Sequence, residues 1–318
     1  MLVSIIISFR NEENNISELV KRIVNSVASL KVKNKSKLKL EMIFVNDHSI
    51  DDSEFILKKL QKKYPIVIIN MARRFGVIPC ILAGLAHAKG DCAINIEADL
   101  QDPPEIIPQM LEKYLAGAEV VHTTRTKRDG ESALKMAITK LAYKSINYFS
   151  EISLPENTGN FKLLSRRAID TILSMPEQDP YFRGISVWIG FKQDFVYFVR
   201  EPRFSGETQR GLLSGAPARE FVRGLTAFSS KPLFISFFLG LLISLLSLGV
   251  IFYALICKFL GIAVPGTAGI LILIAFFGGI ILISNGINGL YIAKIYNEVK
   301  SRPKYIIDSI QKPSSLQK

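Results

Sequence analysis

Three cysteines, three histidines and one tryptophan are all that 318 residues contain of those types. Cys80, Cys92 and Cys257 stand in apolar surroundings without C-x-x-C or Cys/His spacing, which excludes a zinc module and a disulfide framework and suits a reducing compartment. No G-x-G-x-x-G follows the first apolar run and no Walker A string occurs, which removes the dinucleotide and P-loop readings. Acid is the scarcer charge, 28 Asp and Glu against 40 Lys and Arg, for a formal net charge of +12. Such a balance suits an anionic partner: nucleic acid, anionic lipid or a phosphorylated substrate. No basic helix interleaved with aromatics and no RNP-like string is present, so nucleic acid is not an expected partner. Residues 1–9 are too short, and too soon followed by Arg10 and acids, for a signal peptide. They read as a strand.

What is present is a regular alternation. Leu2–Ser8, Leu40–Val45, Ile66–Met71, Cys92–Glu97 and Val120–Thr124 are short apolar runs, as strands buried on both faces must be. Between them lie helical patterns over Asn11–Leu30, Asp51–Tyr64 (capped by Ser49 or Asp51), Val77–Ala88 and Pro103–Ala116. Strands alternating with helices predict a right-handed, doubly wound α/β sheet. Every loop after a strand then falls on one sheet edge, where open α/β folds bind ligands. Those loops are Phe9–Glu13, Asn46–Ser49, Ala72–Gly76, Glu97–Asp102 and Thr124–Arg128, all polar or charged.

The densest is Ile94-Asn95-Ile96-Glu97-Ala98-Asp99-Leu100-Gln101-Asp102-Pro103-Pro104-Glu105. Glu97 and Asp99 end an apolar strand and repel each other unless a cation or an arginine lies between them. Carboxylate and amide oxygens suit a hard cation, Mg²⁺ or Mn²⁺, so Glu97, Asp99 and Gln101 form the expected metal set. Asp102 has a simpler reading as an N-cap, with Pro103 at N1 and Glu105 at N3 completing a capping box.

After residue 231 the composition changes. Leu233–Cys257 carries no charge and Ala268–Ala293 is a second long apolar run, each long enough to span a bilayer. Arg219, Arg223 and Lys231 precede this pair, and Lys294, Lys300, Arg302 and Lys304 follow it. The turn between holds only Lys258. Positive-inside bias places both ends in the cytoplasm. Residues 285–289 offer Asn and Gly for helix packing or a homo-oligomer contact. Ala216–Ser229 has the pattern of a helix lying on a membrane surface. The expected organisation is a catalytic domain over 1–215, a juxtamembrane helix over 216–231, two membrane helices over 232–293 and a basic tail over 294–318.

The string Glu97-Ala98-Asp99-Leu100-Gln101-Asp102-Pro103-Pro104-Glu105 resembles the DADLQDPPE signature of family 2 glycosyltransferases, in particular the polyprenyl-phosphate group. Arg203-Phe204-Ser205-Gly206-Glu207-Thr208 resembles the R-x-x-G-E-T loop of the same group. The resemblance runs from Val3 to about Ile307. It implies a GT-A, Rossmann-like catalytic domain followed by a membrane hairpin. It further implies inverting, metal-dependent transfer of one sugar from a nucleoside-diphosphate sugar to polyprenyl phosphate, for cell-envelope glycan modification. A bacterial inner (plasma) membrane location follows, with the catalytic domain cytoplasmic. On that resemblance Asp99, Asp102 and Arg203 are the catalytic candidates. Ser8, Arg10, Glu12, Asp47, Gly76, Arg125, Arg128, Lys135 and Asn160 are the substrate-binding ones. The chain departs from the family pattern at Ser8, Arg10, Arg74, Val77, Glu97 and Asn160, and His48 stands where glycine is usual. Two alternatives remain: a catalytically silent sugar-nucleotide-binding subunit, and a processive polysaccharide synthase, the latter opposed by the lack of a Q-x-x-R-W string.

Overall fold

The computed structural model describes residues 1–30, 38–127, 144–155, 157–199, 216–261 and 266–313. Its frame is one mixed sheet of eight strands in the order β7-β5-β6-β4-β1-β2-β3-β8. β1 (Leu2–Phe9), β2 (Lys39–Asn46), β3 (Ile66–Met71) and β4 (Cys92–Glu97) pair in parallel. Their side chains are buried on both faces, which is why their sequences read as unbroken apolar runs. β5 (Val120–Lys127) and β7 (Gln193–Val199) run parallel to each other, and β6 (Thr158–Ser165) lies antiparallel between β4 and β5.

Helices cover both faces. α1 (Glu13–Ala28), α2 (Ser53–Leu60) and α4 (Ile107–Leu115) close one face over Ile5, Ile7, Phe44 and Ile94. α3 (Val77–His87), α5 (Arg166–Ser174) and α6 (Phe182–Trp188) close the other over Ile6, Ile43 and Ala93. Gly84 of α3 rides directly over β1: a Cβ there would stand 2.3 Å from Ile6 Cγ2. The close approach requires glycine.

Three expectations are corrected here. Asp102 does not cap a helix over Pro103–Ala116. Pro103 stays extended (φ −72°, ψ 123°), a 3₁₀ turn occupies Pro104–Ile106, and α4 starts at Ile107. A residue preceding proline is driven out of the helical region, and Pro103 precedes Pro104. Glu105, the expected capping-box partner, instead takes two hydrogen bonds from Arg22, at 2.6 and 2.5 Å, which hold its carboxyl below the usual range. Likewise α2 begins at Ser53 with Asp52 at its N-cap position. The hydroxyl of Ser49 is engaged by Asn11 N, whereas the carboxylate of Asp51 accepts from both Glu13 N and Ser53 N, so Asp51 does serve the first residue of α2. Finally, the basic tail expected over 294–318 carries a strand of the sheet. Ile307–Gln311 forms β8, which adds antiparallel to the edge of β3.

Before that strand come α7 (Ala216–Ala227), α8 (Lys231–Phe259) and α9 (Thr267–Lys300). Two segments, Lys231–Cys257 and Phe276–Lys300, are long and apolar enough to cross a membrane, with mean hydropathies of 2.5 and 1.5. Phe237, Phe238, Leu245, Phe252, Leu282 and Ile292 point outward from them. The helices touch through the hydroxyls of Ser236 and Ser284, and Tyr291 donates to Ser229 O at 2.7 Å. At ~1.5 Å per residue α9 is roughly 50 Å long, beyond the ~30 Å of a hydrocarbon core.

Candidate active site

The carboxyl ends of β1 to β5 bring their loops to one edge. Asn11 N donates to Ser49 Oγ at 3.0 Å, Ile50 N to Asn11 Oδ1 at 3.0 Å and Glu12 N to Ser53 Oγ at 3.0 Å, which bolts the β1 loop to the β2 loop. Glu12 also accepts from Asn15 Nδ2 at 2.5 Å. Asp47, buried at the end of β2, accepts from Phe75 N at 2.6 Å and from Gly76 N at 3.0 Å, bolting the β2 loop to the β3 loop. Its carboxylate therefore shapes the pocket through backbone. His48 has φ 59°. That left-handed conformation gives the physical reason for glycine at this position in the resembled family.

Leu100 also has φ 58°, unusual for a branched side chain and costing ~1–2 kcal/mol. Its side chain is buried in the core beneath α1 and α4, and this anchor turns Asp99 and Gln101 outward to the edge. Gln101 N donates to Asp99 Oδ1 at 3.2 Å. Glu97 is in register with Ser8 on β1 and accepts from Asn160 Nδ2 at 3.3 Å. Asp102, 3% exposed, pairs with Arg125, whose Nη2 lies 3.3 Å from Asp102 Oδ1. A Cβ on Gly159 would stand 3.1 Å from that same Nη2, so the guanidinium lies flat over the glycine. Ser8, Glu97, Asn160, Asp99, Gln101, Asp102 and Arg125 are thus gathered around the ends of β1, β4, β6 and β5. Glu12, Asp47 and Gly76 belong to the adjoining interlocked loops. Arg128, Lys135 and Arg203 lie outside the described residues.

Several buried polar atoms in this region have no partner among the described residues: Ser8 Oγ, Arg10 Nε, Asn95 Oδ1 and Arg125 Nε. Buried polar groups are nearly always satisfied, so a cluster of exceptions marks where a ligand or water belongs. Asn95 is a site residue not anticipated from the sequence. Its Nδ2 holds Asn160 O at 2.9 Å, and the signal was an amide inside an otherwise apolar strand.

The same polar stripe continues under α6. Lys162 sits opposite Asn95 on one side and His122 on the other. Lys162 is fully buried, donates to Ser186 Oγ at 2.6 Å and lies 5.1 Å from the centre of the Phe182 ring. Burial, then the nearby Arg183, pushes its pKa down to about 7. His122 is bonded to Gln193 Oε1 at 2.9 Å, and burial and Lys162 push it down to about 3.

Glu97 and Asp99 supply hard oxygen donors, and among the described residues no group of three Asp, Glu, His or Cys could enclose a metal. Oxygen donors of this kind are the ones Mg²⁺ and Mn²⁺ take.

A family model described as glycosyl transferase family 2 matches residues 4–173. A prophage bactoprenol glucosyl transferase homolog of Escherichia coli (strain K12) is 38% identical over 98% of this chain and 100% of its own length. A bactoprenol glucosyl transferase of Shigella phage SfII is 37% identical over 96% and 97%. Among solved structures, glucosyl-3-phosphoglycerate synthase from Mycobacterium tuberculosis, crystallised with Mn²⁺, uridine diphosphate and glucosyl-3-phosphoglycerate, shares the fold. It aligns with a TM-score of 0.51 at 19% identity, over 71% of this chain and 79% of its own. With the mixed sheet, the acid-rich edge and near full-length similarity in agreement, the chain belongs to glycosyl transferase family 2.

Proposed function

We propose that this enzyme moves a single sugar from a nucleoside-diphosphate sugar onto polyprenyl phosphate, with inversion at the anomeric carbon. The observation that carries the reading is one chain holding both an acid-rich sheet edge with unsatisfied buried polar atoms and two long helices with outward apolar side chains. A soluble donor and a lipid acceptor need those two features side by side. The names of the bactoprenol relatives support the acceptor, and the uridine diphosphate of the mycobacterial structure supports the donor class.

In this reading Glu97 and Asp99, with Gln101, hold Mg²⁺ or Mn²⁺, which supplies neutralisation of the leaving diphosphate. Asn160 fixes the Glu97 carboxylate through its amide and is not itself a base. None is required: a lipid phosphate has a second pKa of about 6 and is mostly dianionic near neutrality, so the nucleophile arrives deprotonated. Asp102 acts as the counter-charge that orients Arg125, and the guanidinium grips phosphate. Arg10, Arg128, Lys135 and Arg203 would add positive charge, and Ser8 a hydroxyl. The loops carrying Glu12, Asp47 and Gly76 hold the nucleoside.

The domain plan that accompanies this is a catalytic unit over 1–215 completed by β8, a surface helix over 216–231 and a membrane hairpin over 232–293. Its two ends share the cytoplasmic side. The pairing of β8 with β3 supports this topology, because the chain leaving α9 rejoins the catalytic sheet. The test is a transfer assay with purified protein, polyprenyl phosphate and a panel of sugar nucleotides, with Mg²⁺, Mn²⁺ or EDTA. The expected result is metal-dependent movement of one sugar into the organic phase. Donor binding without transfer from any sugar would overturn the reading in favour of a silent sugar-nucleotide-binding subunit.

A further inference from the structure

The strand that follows the membrane hairpin is connected to the pocket loops. Residues 301–306 link α9 to β8, and Ile306 O accepts from Ala72 N at 3.0 Å, the first residue of the loop that leads to Gly76. Within β8, Ile307, Ser309 and Gln311 are half-buried, whereas Asp308 and Ile310 face outward. Ile307 packs against the apolar core beside α3, whereas Ser309 and Gln311 are held by hydrogen bonds. Ser309 Oγ accepts from Asn70 Nδ2 at 3.1 Å, and Gln311 Nε2 donates to Glu54 Oε1 at 2.9 Å. Gln61 Nε2 reaches Gln311 O at 3.1 Å.

From Ser309 the bonds run on without a gap. Asn70 Oδ1 accepts from Asn46 Nδ2 at 3.0 Å, and Asn46 Oδ1 accepts from Ser49 N at 2.8 Å. Ser49 Oγ accepts from Asn11 N at 3.0 Å. Asn46 is 5% exposed and immediately precedes Asp47, whose carboxylate sets Phe75 and Gly76. An asparagine side chain offers one acceptor and two donor hydrogens in a fixed plane, so fixing Asn70 on one side fixes Asn46 on the other. Asn70 Nδ2 also donates to Glu54 Oε1 at 3.3 Å, so Ser309 and Glu54 together fix the amide.

We propose that Ser309, acting through Asn70 and Asn46, is a positioning residue for the donor nucleotide, so that the strand returning from the membrane hairpin completes the donor pocket. This deepens the glycosyltransferase reading and rests on it. The chain that returns from the hairpin then helps to set the three loops around the nucleoside.

The experiment uses the full-length protein in detergent or nanodiscs with the donor identified in the transfer assay. Ser309→Val removes the acceptor and adds a β-branched side chain that the strand accommodates, isosteric with the threonine of the control. A lost hydrogen bond of ordinary strength corresponds to a donor KM raised about fivefold, with kcat and the acceptor KM within about twofold of wild type. Ser309→Thr, which keeps the hydroxyl, restores the donor KM. In an Asn70→Ala background Ser309→Val adds nothing further, since the relay is already cut. Asp308→Asn, on the outward face, changes neither constant. A strand that only stabilises the sheet would give a lower melting temperature and a smaller active fraction at unchanged donor KM. That result, or a fivefold rise that Thr fails to rescue, overturns the proposal. If the wild-type protein itself binds no sugar nucleotide, the glycosyltransferase reading fails, and this one falls with it.

Discussion

The two halves of the sheet edge are built differently. On the β1–β2–β3 side the loops spend their polar groups on one another: Asn11 with Ser49 and Ile50, Asp47 with Phe75 and Gly76, Asn46 with Asn70. On the β1–β4–β6–β5 side buried polar atoms of Ser8, Asn95 and Arg125 lack partners among the described residues, as Arg10 Nε does in the β1 loop; Leu100, beside Asp99, holds the left-handed backbone that Asn11 and His48 hold in the first half, but with a residue type that adopts it less readily. Arg10 apart, the first half is a scaffold whose loops hold one another in shape. The second gathers most of the unsatisfied groups, together with the left-handed turn at Leu100, which is what a site that completes itself on binding looks like. Acidic residues in the two halves therefore do different jobs despite similar sequence settings, and substitution separates them.

The largest effect is expected at Asp99. Asp99→Asn removes charge without volume, and transfer falls by at least about 100-fold, the scale of losing one electrostatic group aimed at developing charge. The melting temperature of the free protein stays within about 2 °C, because the side chain is half-buried at a loop edge and not part of the core. Donor with Mn²⁺ raises the melting temperature of wild type by linkage and does so far less for the variant. Full activity in Asp99→Asn would remove the metal assignment. Asp47→Ala is the contrasting case. It strands the N–H groups of Phe75 and Gly76, so stability drops by about 1–3 kcal/mol and donor affinity weakens with it. Chemical denaturation and a donor titration read both. If Asp47→Ala leaves stability untouched while abolishing binding, Asp47 is a ligand contact first and the division between the halves fails.

Sequence reasoning reached the parallel strands because each is buried on both faces, and only apolar side chains satisfy that. It reached the acidic edge because carboxylates at the end of such a strand have no structural reason to be adjacent. It did not reach β8. Ile307-Asp308-Ser309-Ile310-Gln311 has too little apolar content to read as a strand, and its pairing is supplied by the open edge of β3, 239 residues away at the Asn70–Ser309 bond. It misassigned Asp102, since a capping box is a local pattern whereas the ion pair with Arg125 depends on β5 lying across the sheet. Lys162 was also passed over. A lysine within an apolar run reads as a snorkelling surface residue until α6 is seen to cover it.

A variant expected to leave transfer unchanged tests how far the polar stripe is structural. Lys162 titrates near 7 in the folded protein, against an ordinary value of 10.5. Between those values the unfolded chain holds a proton that the folded one has released, so stability rises with pH across that window. Below about pH 7 both states are protonated and the full cost of burying the ammonium is felt. The groups around it are His122 on β5, pushed down to about 3 and so neutral here, and Arg183 and Ser186 on α6. Lys162→Met keeps the length of the side chain and removes the charge. Ser186 Oγ still has Arg183 O as its acceptor at 2.9 Å, so no hydroxyl is orphaned. The variant is expected to melt a few degrees above wild type at pH 6.5, with the gap closing steadily toward pH 10, in keeping with buried ions costing about 1–4 kcal/mol relative to apolar replacements. Melting curves across that range decide it. A gap that does not change with pH means the lysine contributes by packing and not by charge. A variant that folds and gains stability yet loses transfer would make Lys162, which already lies on β6 in the second half, part of its reactive machinery.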